Sequence, residues 1–342
     1  MAELDPSKIM QVGLGFWGSK CLLSAVEIGL FTELARQPMT GKQLEAKLEL
    51  HPRATYDFLD ALLAMGFLRR DGNGVDAVYR NTDETQVFLD RSSARYVGGM
   101  LEMANARQFA YWNDLTEALR TGKPQNETKH VGKSVFEALY ANPVELEGFM
   151  NAMAGISMGN FHAFAQKFDF SPYNTMCDVG GATGQLSITV ARYNSDLTIT
   201  SFDLPVVAPI AQKSIDAAGL SDRVKTAEGN FFTDALPKAD LITMGMILHD
   251  WNLEKKMHLI RSAYDALPAG GAFVAIENLI DDARRENTFG LLMSLNMLIE
   301  FGEAFDYTGA DFDGWCRKVG FERTEVLHLA GPASAGIAYK AK

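Results

Sequence analysis

From residue 175 onward, short apolar runs alternate with segments of helical length. Strands are predicted at residues 175–180, 197–203, 223–228, 239–246 and 271–278, and helices at about 183–193, 206–218 and 253–267. Strand–helix alternation is typical of a mostly parallel sheet with helices on both faces. The last strand-like runs, 322–329 and 335–340, are separated by a turn at Gly331-Pro332, which predicts a terminal antiparallel hairpin.

The first third of the chain has helical periodicity and one hairpin signal. Helices are predicted at 22–31, 41–48 and 52–66, followed by a hairpin formed by 67–75 and 78–80. Thr40 is a suitable N-cap for the second helix, and Pro52 occupies a tolerated first-turn position of the third. Three helices and a two-stranded wing are typical of a winged helix-turn-helix.

The middle of the chain is predicted to be helical, with one helix through residues 100–119 and another through 143–168. A polar segment that contains proline, 168–174, leads into the first strand of the α/β part. The chain is therefore divided into a winged-helix-like part (1–95), a helical linker and cap (96–170) and an α/β part (171–342).

The charge balance argues against two classes of partner. The 342 residues carry a formal net charge of −11, and the sequence pI is about 5.1. Nucleic acids and anionic membranes select basic surfaces, so neither is expected to bind. Cys21, Cys177 and Cys316 are far apart and odd in number, which fits neither a metal site nor a disulfide framework. With no signal-peptide pattern and no long apolar run, a cytoplasmic protein is expected.

A glycine turn and a later acid point to a nucleoside ligand. Residues 176–184 read M-C-D-V-G-G-A-T-G, a strand that runs into a turn and a helix. Gly180 and Gly181 allow close approach of a ligand to the backbone, and Asp203, at the end of the next strand, can bind two ribose hydroxyls. Asp178 within the loop disfavours a diphosphate and suits an amine or sulfonium. S-adenosylmethionine fits, although the glycines alone are equally typical of an ordinary turn.

Other polar and aromatic residues follow the carboxyl ends of later strands. Asn230 and Phe231 come after the third strand, Trp251 after the fourth, and Glu277 ends the fifth. Ligands of doubly wound sheets bind at these ends, so one ligand would contact all of them. Asn230 suits an adenine amine, while Phe231 and Trp251 suit the faces of its ring. Each residue alone also fits a plain loop role, but their joint placement favours a binding site.

His249 is the candidate base because it directly follows an apolar strand at the same edge of the sheet. An imidazole takes up a proton near neutral pH, and removal of a proton from a phenol or enol makes its oxygen a nucleophile toward a sulfonium methyl. Glu277 could orient the ring. A lone histidine is more often structural, but the neighbouring Asp250, Trp251 and Glu277 favour a catalytic one.

Together these motifs resemble one enzyme family, the class I S-adenosylmethionine-dependent O-methyltransferases of the plant caffeate and animal acetylserotonin type, which has bacterial natural-product relatives. The resemblance covers nearly the whole chain, through residues 178–184, 202–205, 229–232, 249–251 and 266–271. It implies an α/β fold, with a Rossmann-like methyltransferase domain that ends in an antiparallel hairpin and an N-terminal winged domain that dimerises.

The resemblance also implies roles for individual residues. The cofactor set comprises Asp178, Gly180, Gly181, Asp203, Leu204, Asn230, Phe231 and Trp251, with Tyr140 and Ser157 reaching the cofactor from the helical side. His249 would be the base, flanked by Glu277 and Asp306. Four positions depart from the family pattern without removing the base: Ala182 interrupts the glycine run, Asn230 replaces an acid, Gly245 replaces a basic residue and Asp306 replaces a glutamate.

Methionine and aromatic residues are candidates for an acceptor pocket, since methionine adapts to flat substrates. The candidates are Met153, His162, Asn296, Met297, Phe109 and Trp112, with Met297 favoured by its family position. A stripe of such residues at helical spacing is also typical of ordinary core. No metal is implied, because no acid and histidine cluster has suitable sequence spacing.

Two alternatives remain open. A winged-helix regulator would need a basic recognition helix, yet the third helix carries Asp57 and Asp60 beside Arg53, and residues 1–95 hold 11 Lys/Arg against 13 Asp/Glu. That part is better explained as a homodimerisation unit. Within the same fold, a C-, N- or S-methyltransferase or a non-methylating enzyme would look similar. The retained base favours an O-methyltransferase that acts on a small, aromatic, natural-product-like hydroxyl compound, whose identity the residues do not give.

Overall fold

The computed structural model describes residues 4–93, 95–127, 129 and 143–342, the side chains of 143–145 excepted. Tyr140, a predicted cofactor residue, lies outside the described residues. The chain divides into two compact units, Met1–Ala110 and Tyr111–Lys342. The division into three parts at residues 95 and 170 stays a prediction.

The first unit packs short helices around a small antiparallel sheet. The helices are α1 (Ser7–Gly13), α2 (Gly15–Glu27), α3 (Leu30–Arg36), α4 (Gly41–Lys47), α5 (Pro52–Ala64), α6 (Asp83–Phe88) and α7 (Gly98–Met103). The strands are β1 (Met39–Thr40), β2 (Leu68–Asp71) and β3 (Val78–Asn81), in the order β1-β3-β2. Their apolar faces form one core, so the helices and the wing are a single structural unit.

Local sequence signals account for most of these boundaries. The Thr40 hydroxyl accepts the Gln43 N–H in a capping box, and Pro52 is the first residue of α5, as predicted. The single helix predicted at 22–31 is wrong, because Gly29 adopts a φ of +76° and separates α2 from α3. The predicted two-stranded wing also has a third strand, since the two-residue β1 pairs with β3.

The predicted helix through 100–119 is broken into several turns. After α7 come a π-helical turn (Ala104–Gln108), α8 (Phe109–Tyr111), a 3-10 turn (Trp112–Asp114) and α9 (Leu115–Thr121). Gly122, with a φ of +66°, terminates α9.

A seven-stranded sheet organises the second unit. Its strands are β4 (Thr175–Val179), β5 (Thr198–Asp203), β6 (Val224–Glu228), β7 (Leu241–Gly245), β8 (Ala272–Glu277), β9 (Arg323–His328) and β10 (Ser334–Tyr339). The order is β6-β5-β4-β7-β8-β10-β9, with β10 antiparallel to both neighbours and the first five strands parallel. The predicted α/β fold with a terminal hairpin is confirmed, and each strand boundary lies within about two residues of its predicted position.

Helices cover both faces of this sheet. They are α10 (Pro143–Lys167), α11 (Gln185–Tyr193), α12 (Ala208–Ala217), α13 (Leu253–Ala266), α14 (Thr288–Phe301) and α15 (Gly309–Val319). Apolar side chains of α10, α11 and α12 form the core on one face, and those of α13 and α15 form the core on the other. Because the parallel strands all end at one edge, their connecting loops meet there.

The segment Ser7–Glu27 is long and apolar enough, by length and composition, to cross a membrane. In the structure it consists of α1 and α2, and Leu23, Ala25 and Val26 at its end belong to the core of the first unit. Its earlier apolar residues, including Ile9, Val12, Phe16 and Trp17, are exposed in the single chain.

Candidate active site

A tight glycine loop joins β4 to α11 at the carboxyl edge of the sheet. The N–H groups of Gly180 and Gly181 donate to the Phe202 carbonyl of β5, at 2.9 and 3.3 Å. A β-carbon at Gly180 would collide with the Ile247 side chain, and one at Gly181 would collide with the Ser201 hydroxyl. The loop therefore requires glycine at both positions to keep this path.

Asp178 supports the loop from beneath. It lies within β4 and not in the loop as predicted, and only 2% of it is exposed. Its two carboxylate oxygens accept hydrogen bonds from the hydroxyls of Thr243 (3.0 Å) and Ser187 (3.1 Å). Burial raises the pKa of Asp178 to about 7, against the effect of these hydroxyls. The Asp178 side chain therefore connects β4, β7 and α11 through hydrogen bonds.

Asp203 at the end of β5 faces the same loop. Its carboxylate accepts the Ala182 N–H at 2.9 Å and the Leu204 N–H at 2.7 Å. Ala182 has a φ of +50°, an unusual value for a residue other than glycine, and the bond to Asp203 stabilises that conformation. Burial raises the pKa of Asp203. Leu204 and Ala182 pack against an apolar cluster that includes Met150 of α10, so this helix covers the loop.

The loops after β6 and β7 add aromatic side chains. Asn230 uses its amide oxygen to accept the Phe232 N–H at 2.9 Å. The Phe231 ring lies 6.2 Å from the Trp251 ring, centroid to centroid, and one of its atoms is 3.9 Å from where a Gly180 β-carbon would stand. The predicted cofactor residues on separate loops are thus brought together.

His249 sits in a short 3-10 turn, Leu248–Asp250, that follows β7. Met246, which lies two residues before this turn, has a φ of +55°, a strained value for a residue other than glycine. Two bonds to β8 hold it, because the Met246 N–H donates to the Ile276 carbonyl and the Leu248 N–H donates to Glu277 Oε1, both at 2.9 Å. Glu277 therefore positions the backbone beside the imidazole.

Carboxylates surround the imidazole, and His249 is only 4% exposed. Its Nδ1 lies 3.4 Å from Asp306 Oδ1, and its Nε2 lies 3.3 Å from Asp250 Oδ1. Burial lowers the pKa of His249, but Asp250, Glu277 and Asp306 outweigh burial and raise it from 6.5 to about 10. The site strongly stabilises an imidazolium ion.

The carboxylates themselves are costly to ionise in this environment. Burial raises the pKa of Glu277 to about 7 and that of Asp250 to about 6, while the imidazolium acts in the opposite direction. Among the described residues, Glu277 Oε2 and both Asp306 carboxylate oxygens make no hydrogen bond. Atoms of His249, Glu277 and Asp306 lie within 4.8 Å of one another, a spacing that could also hold a metal ion. The family resemblance implied that Glu277 and Asp306 flank His249, whereas sequence spacing alone did not indicate this grouping, because the three residues are far apart in the chain.

Helices α10 and α14 flank the turn. On α10, Ser157 is buried and Met153 half-buried, and Phe161 lies 3.7 Å from where a Gly245 β-carbon would stand at the end of β7. Next to the turn lies α14, in which Met297 is buried. Asn296 of the same helix accepts a hydrogen bond from the Trp112 indole at 3.0 Å.

One residue predicted for the pocket, His162, lies away from the glycine loop. His162 is exposed, and its ring lies 5.9 Å from that of Tyr193, at the end of α11 remote from the glycine loop. Its exposed position on α10 explains why the helical pattern was misleading. Phe109 belongs to the first unit, where the Lys20 ammonium lies 5.1 Å from its ring centroid.

Sequence reasoning missed three neighbours of the site. Ile247 fills the space over Gly180, Asp250 contacts the imidazole, and Lys256 of α13 is fully buried close to the same carboxylates. Asp250 had been noted at a strand end without a role. For Lys256 the local pattern gave no signal, because a lysine pair near a helix start is typical of an exposed surface.

Family models match both parts of the chain. The O-methyltransferase domain matches residues 112–322, and the O-methyltransferase dimerisation domain matches residues 10–91. A curated relative, the tetracenomycin polyketide synthesis 8-O-methyl transferase TcmO of Streptomyces glaucescens, is 38% identical, with 98% of this chain and 97% of that protein covered. The N,N-dimethyltransferase OxyT of Streptomyces rimosus is 32% identical, with 92% and 90% covered.

Solved structures agree with these matches. The crystal structure of human N-acetylserotonin methyltransferase in complex with S-adenosylmethionine superposes with a TM-score of 0.91 at 28% identity, and covers 100% of this chain and 99% of that one. The resemblance found in the motifs is thereby confirmed. The chain belongs to the S-adenosylmethionine-dependent O-methyltransferase family.

Proposed function

We propose that this protein methylates a hydroxyl group of a small, aromatic, natural-product-like acceptor, with His249 as the general base. One observation carries the proposal. The His249 imidazole is buried between the Asp306 and Asp250 carboxylates, on the turn that follows β7 at the sheet edge where the glycine loop lies. A general base needs such a fixed ring orientation and a stabilised conjugate acid.

The loops at the strand ends fit S-adenosylmethionine. When bound, this cofactor supplies a methyl carbon that is activated by a sulfonium group. Asp203 would bind the ribose hydroxyls with the acceptor capacity left after its two backbone bonds. Gly180 and Gly181, which have no room for a β-carbon, allow the backbone to lie against the ligand. Phe231 and Trp251 would contact the adenine ring, and Asn230 its amine.

The remaining predicted contacts come from the helical elements. Ser157 on α10 would approach the cofactor from the side opposite the sheet, and Leu204 would contact it from the end of β5. Met153 on α10, and Asn296 and Met297 on α14, would line the acceptor pocket, because these helices flank the His249 turn. Trp112 would join them through its hydrogen bond to Asn296. Tyr140 stays a prediction.

In the proposed step, the charge of the Asp306 carboxylate, 3.4 Å from Nδ1 of His249, stabilises a proton on that nitrogen, and Nε2, which lies beside Asp250, takes the proton of the acceptor hydroxyl. The oxygen thereby becomes a better nucleophile, and the surrounding carboxylates stabilise the imidazolium ion. Because those carboxylates raise the pKa of His249 to about 10, the neutral ring is the minor form at pH 7. Turnover should therefore increase as pH rises above neutrality.

Replacing the base tests this assignment. His249→Gln keeps a polar side chain but removes the proton acceptor, so turnover is expected to fall by roughly 10²-fold or more. Affinity for S-adenosylhomocysteine, measured by calorimetry, should stay nearly unchanged. The matched control is His328→Gln, an exposed histidine on β9.

Turnover would be measured by mass spectrometry, as a gain of one methyl group on a panel of phenols and naphthols. An active His249→Gln variant would exclude this residue as the base. Full activity after dialysis against EDTA is expected, since the proposed proton transfer uses no metal.

An amine acceptor is a second candidate, favoured by the 32% identity to a relative named as an N,N-dimethyltransferase. The proposed base favours a hydroxyl, because an unprotonated amine is already nucleophilic. Matched acceptor pairs that differ only in a hydroxyl or an amino group would separate the two reactions. Methylation of the amine alone would replace the O-methyl proposal.

We also propose that the protein acts as a homodimer through its first unit. The dimerisation-domain match covers residues 10–91, and large apolar side chains of α1 and α2 are exposed in the single chain. Burial of such side chains against a second copy would remove them from water. No nucleic-acid or membrane partner is proposed, and the cytoplasmic location stays a prediction.

A further inference from the structure

A buried lysine lies beside the base and has no part in the proposed proton transfer. Lys256, in the first turn of α13, has no solvent exposure. Its ammonium donates a hydrogen bond to the Trp251 carbonyl. The same group lies 3.7 Å from the centroid of the Phe305 ring and 5.7 Å from that of Tyr307. A buried cation is costly unless nearby negative charge compensates it.

Negative charge of this kind surrounds the lysine. The titratable groups that face the His249 turn come from every neighbouring element: Asp250 on the turn itself, Lys256 on α13, Glu277 on β8, Glu300 on α14, and Asp306 and Tyr307 after α14. Apart from Glu300, whose effect is on Asp250, the three carboxylates that act on the imidazole, those of Asp250, Glu277 and Asp306, exceed a protonated imidazole by two negative charges. The Lys256 ammonium reduces that excess to one.

The Lys256 ammonium and the nearby carboxylates change one another's pKa values. Burial lowers the pKa of Lys256 to about 8, although Glu277, Asp306 and Asp250 counteract burial. In turn, the Lys256 cation lowers the proton affinity of Asp250 and Glu277. At neutral pH the lysine therefore favours ionised carboxylates in a place where burial favours neutral ones.

We propose that Lys256 is a positioning residue: its buried ammonium, which binds the Trp251 carbonyl beside the His249 turn, keeps Glu277 and Asp250 ionised, so that the turn is held in place. This inference rests on the proposed role of His249. Ionised Glu277 accepts the Leu248 N–H more strongly than the neutral acid does. Removal of this cation makes both acids hold their protons to higher pH, so the pH at which the turn becomes fixed should rise.

The test is the pH dependence of turnover between pH 6 and 9. Lys256→Gln removes the charge and keeps a donor for the Trp251 carbonyl. We expect the rising limb of its profile to move upward by about one pH unit, which lowers turnover at pH 7 about tenfold. The turnover of the variant and that of the parent should become equal above pH 8, because Lys256 itself loses its charge there. Affinity for S-adenosylhomocysteine should be unchanged.

The control is Lys318→Gln, which removes the same charge from an exposed position on α15 and should leave the profile unmoved. A uniform loss of turnover at all pH values, with an unmoved limb, would show a purely structural role and overturn the inference.

Loss of folding in Lys256→Gln would not prevent the test. The double variant Lys256→Gln/Asp250→Asn removes one charge of each sign, and its limb should lie at higher pH than that of Asp250→Asn alone. Identical limbs in those two proteins would also overturn the inference. If the limb of Lys256→Gln does not move and His249→Gln is inactive, only the proposed role of Lys256 is contradicted. If His249→Gln keeps its turnover, the proposed role of His249 as the base is contradicted.

Discussion

Gly181 shows how little room the glycine loop leaves for a side chain. A β-carbon there would collide with the hydroxyl oxygen of Ser201, a buried residue of β5, and would lie 3.3 Å from the Asp178 carbonyl oxygen. A larger residue must therefore displace either that hydroxyl or the loop itself.

Gly181→Ala should weaken the binding of S-adenosylhomocysteine by about tenfold or more, equivalent to ~1.4 kcal/mol. Calorimetry measures the change directly. Gly314→Ala is the matched control, because a β-carbon there meets nothing within 4 Å. Equal affinities in the two variants would show that the loop tolerates the displacement.

Only part of the candidate site's geometry could be predicted from single residues. The placement of His249, Asp203 and Asn230 at one edge of the sheet was predictable, because apolar runs mark where strands end and parallel strands end at one edge. The partner Asp306 came from family likeness alone, since only the folded chain brings it to the imidazole. The burial of Lys256 was not predictable, because sequence spacing does not show which acids will surround a helix start.

At the scale of elements, strands were predicted more accurately than helices. Buried parallel strands are continuous apolar runs, which turn residues delimit sharply. The helix α14 was not assigned, because apolar residues occupy most of its positions and leave no helical periodicity to detect. The two-residue β1 depends entirely on pairing with β3, which no local pattern specifies.

Contact between a helix and the wing stabilises the first unit. Asp60 of α5 accepts hydrogen bonds from the Tyr79 hydroxyl and from Arg70, both at 2.7 Å. Tyr79 is only 1% exposed, so its hydroxyl has little access to water. These hydrogen bonds, and not a contact with DNA, explain why α5, the helix predicted as the third of the winged domain, carries an acid at Asp60.

Asp60→Ala should lower the free energy of unfolding by about 1–3 kcal/mol, because the Tyr79 hydroxyl loses its acceptor. Urea unfolding followed by circular dichroism gives this value. Asp57→Ala on the same helix removes only an exposed pair with Arg53 and should cost about 0.5 kcal/mol or less. Similar losses in both variants would mean that the wing contact is unimportant.

At the scale of the whole molecule, the proposed dimer explains the apolar N-terminal segment. Phe16 and Trp17 are 53% and 62% exposed in the single chain, which is unusual for neighbouring aromatic residues. The same segment meets the length and composition of a membrane span. Contact with a second copy accounts for both properties, since it covers the apolar side chains.

Phe16→Asp with Trp17→Asp should convert the dimer to monomers at micromolar concentration, because two carboxylates would be buried without partners. Sedimentation velocity distinguishes the two states. Val326→Asp is the control, since Val326 is equally exposed, at 52%, on the edge strand β9 of the other unit. A double variant that sediments like the parent would place the dimer seam elsewhere.

The bond from Leu248 to Glu277 links the proposed base to the terminal hairpin. Glu277 lies opposite Ser334, where β8 pairs with β10, so the last strand helps to fix the height of the imidazole above the sheet. Loosening of that strand pair would misalign the proposed base, while the proposed nucleoside site at the ends of β4, β5 and β6 stayed intact. Such a molecule would still capture its methyl donor and yet fail to use it.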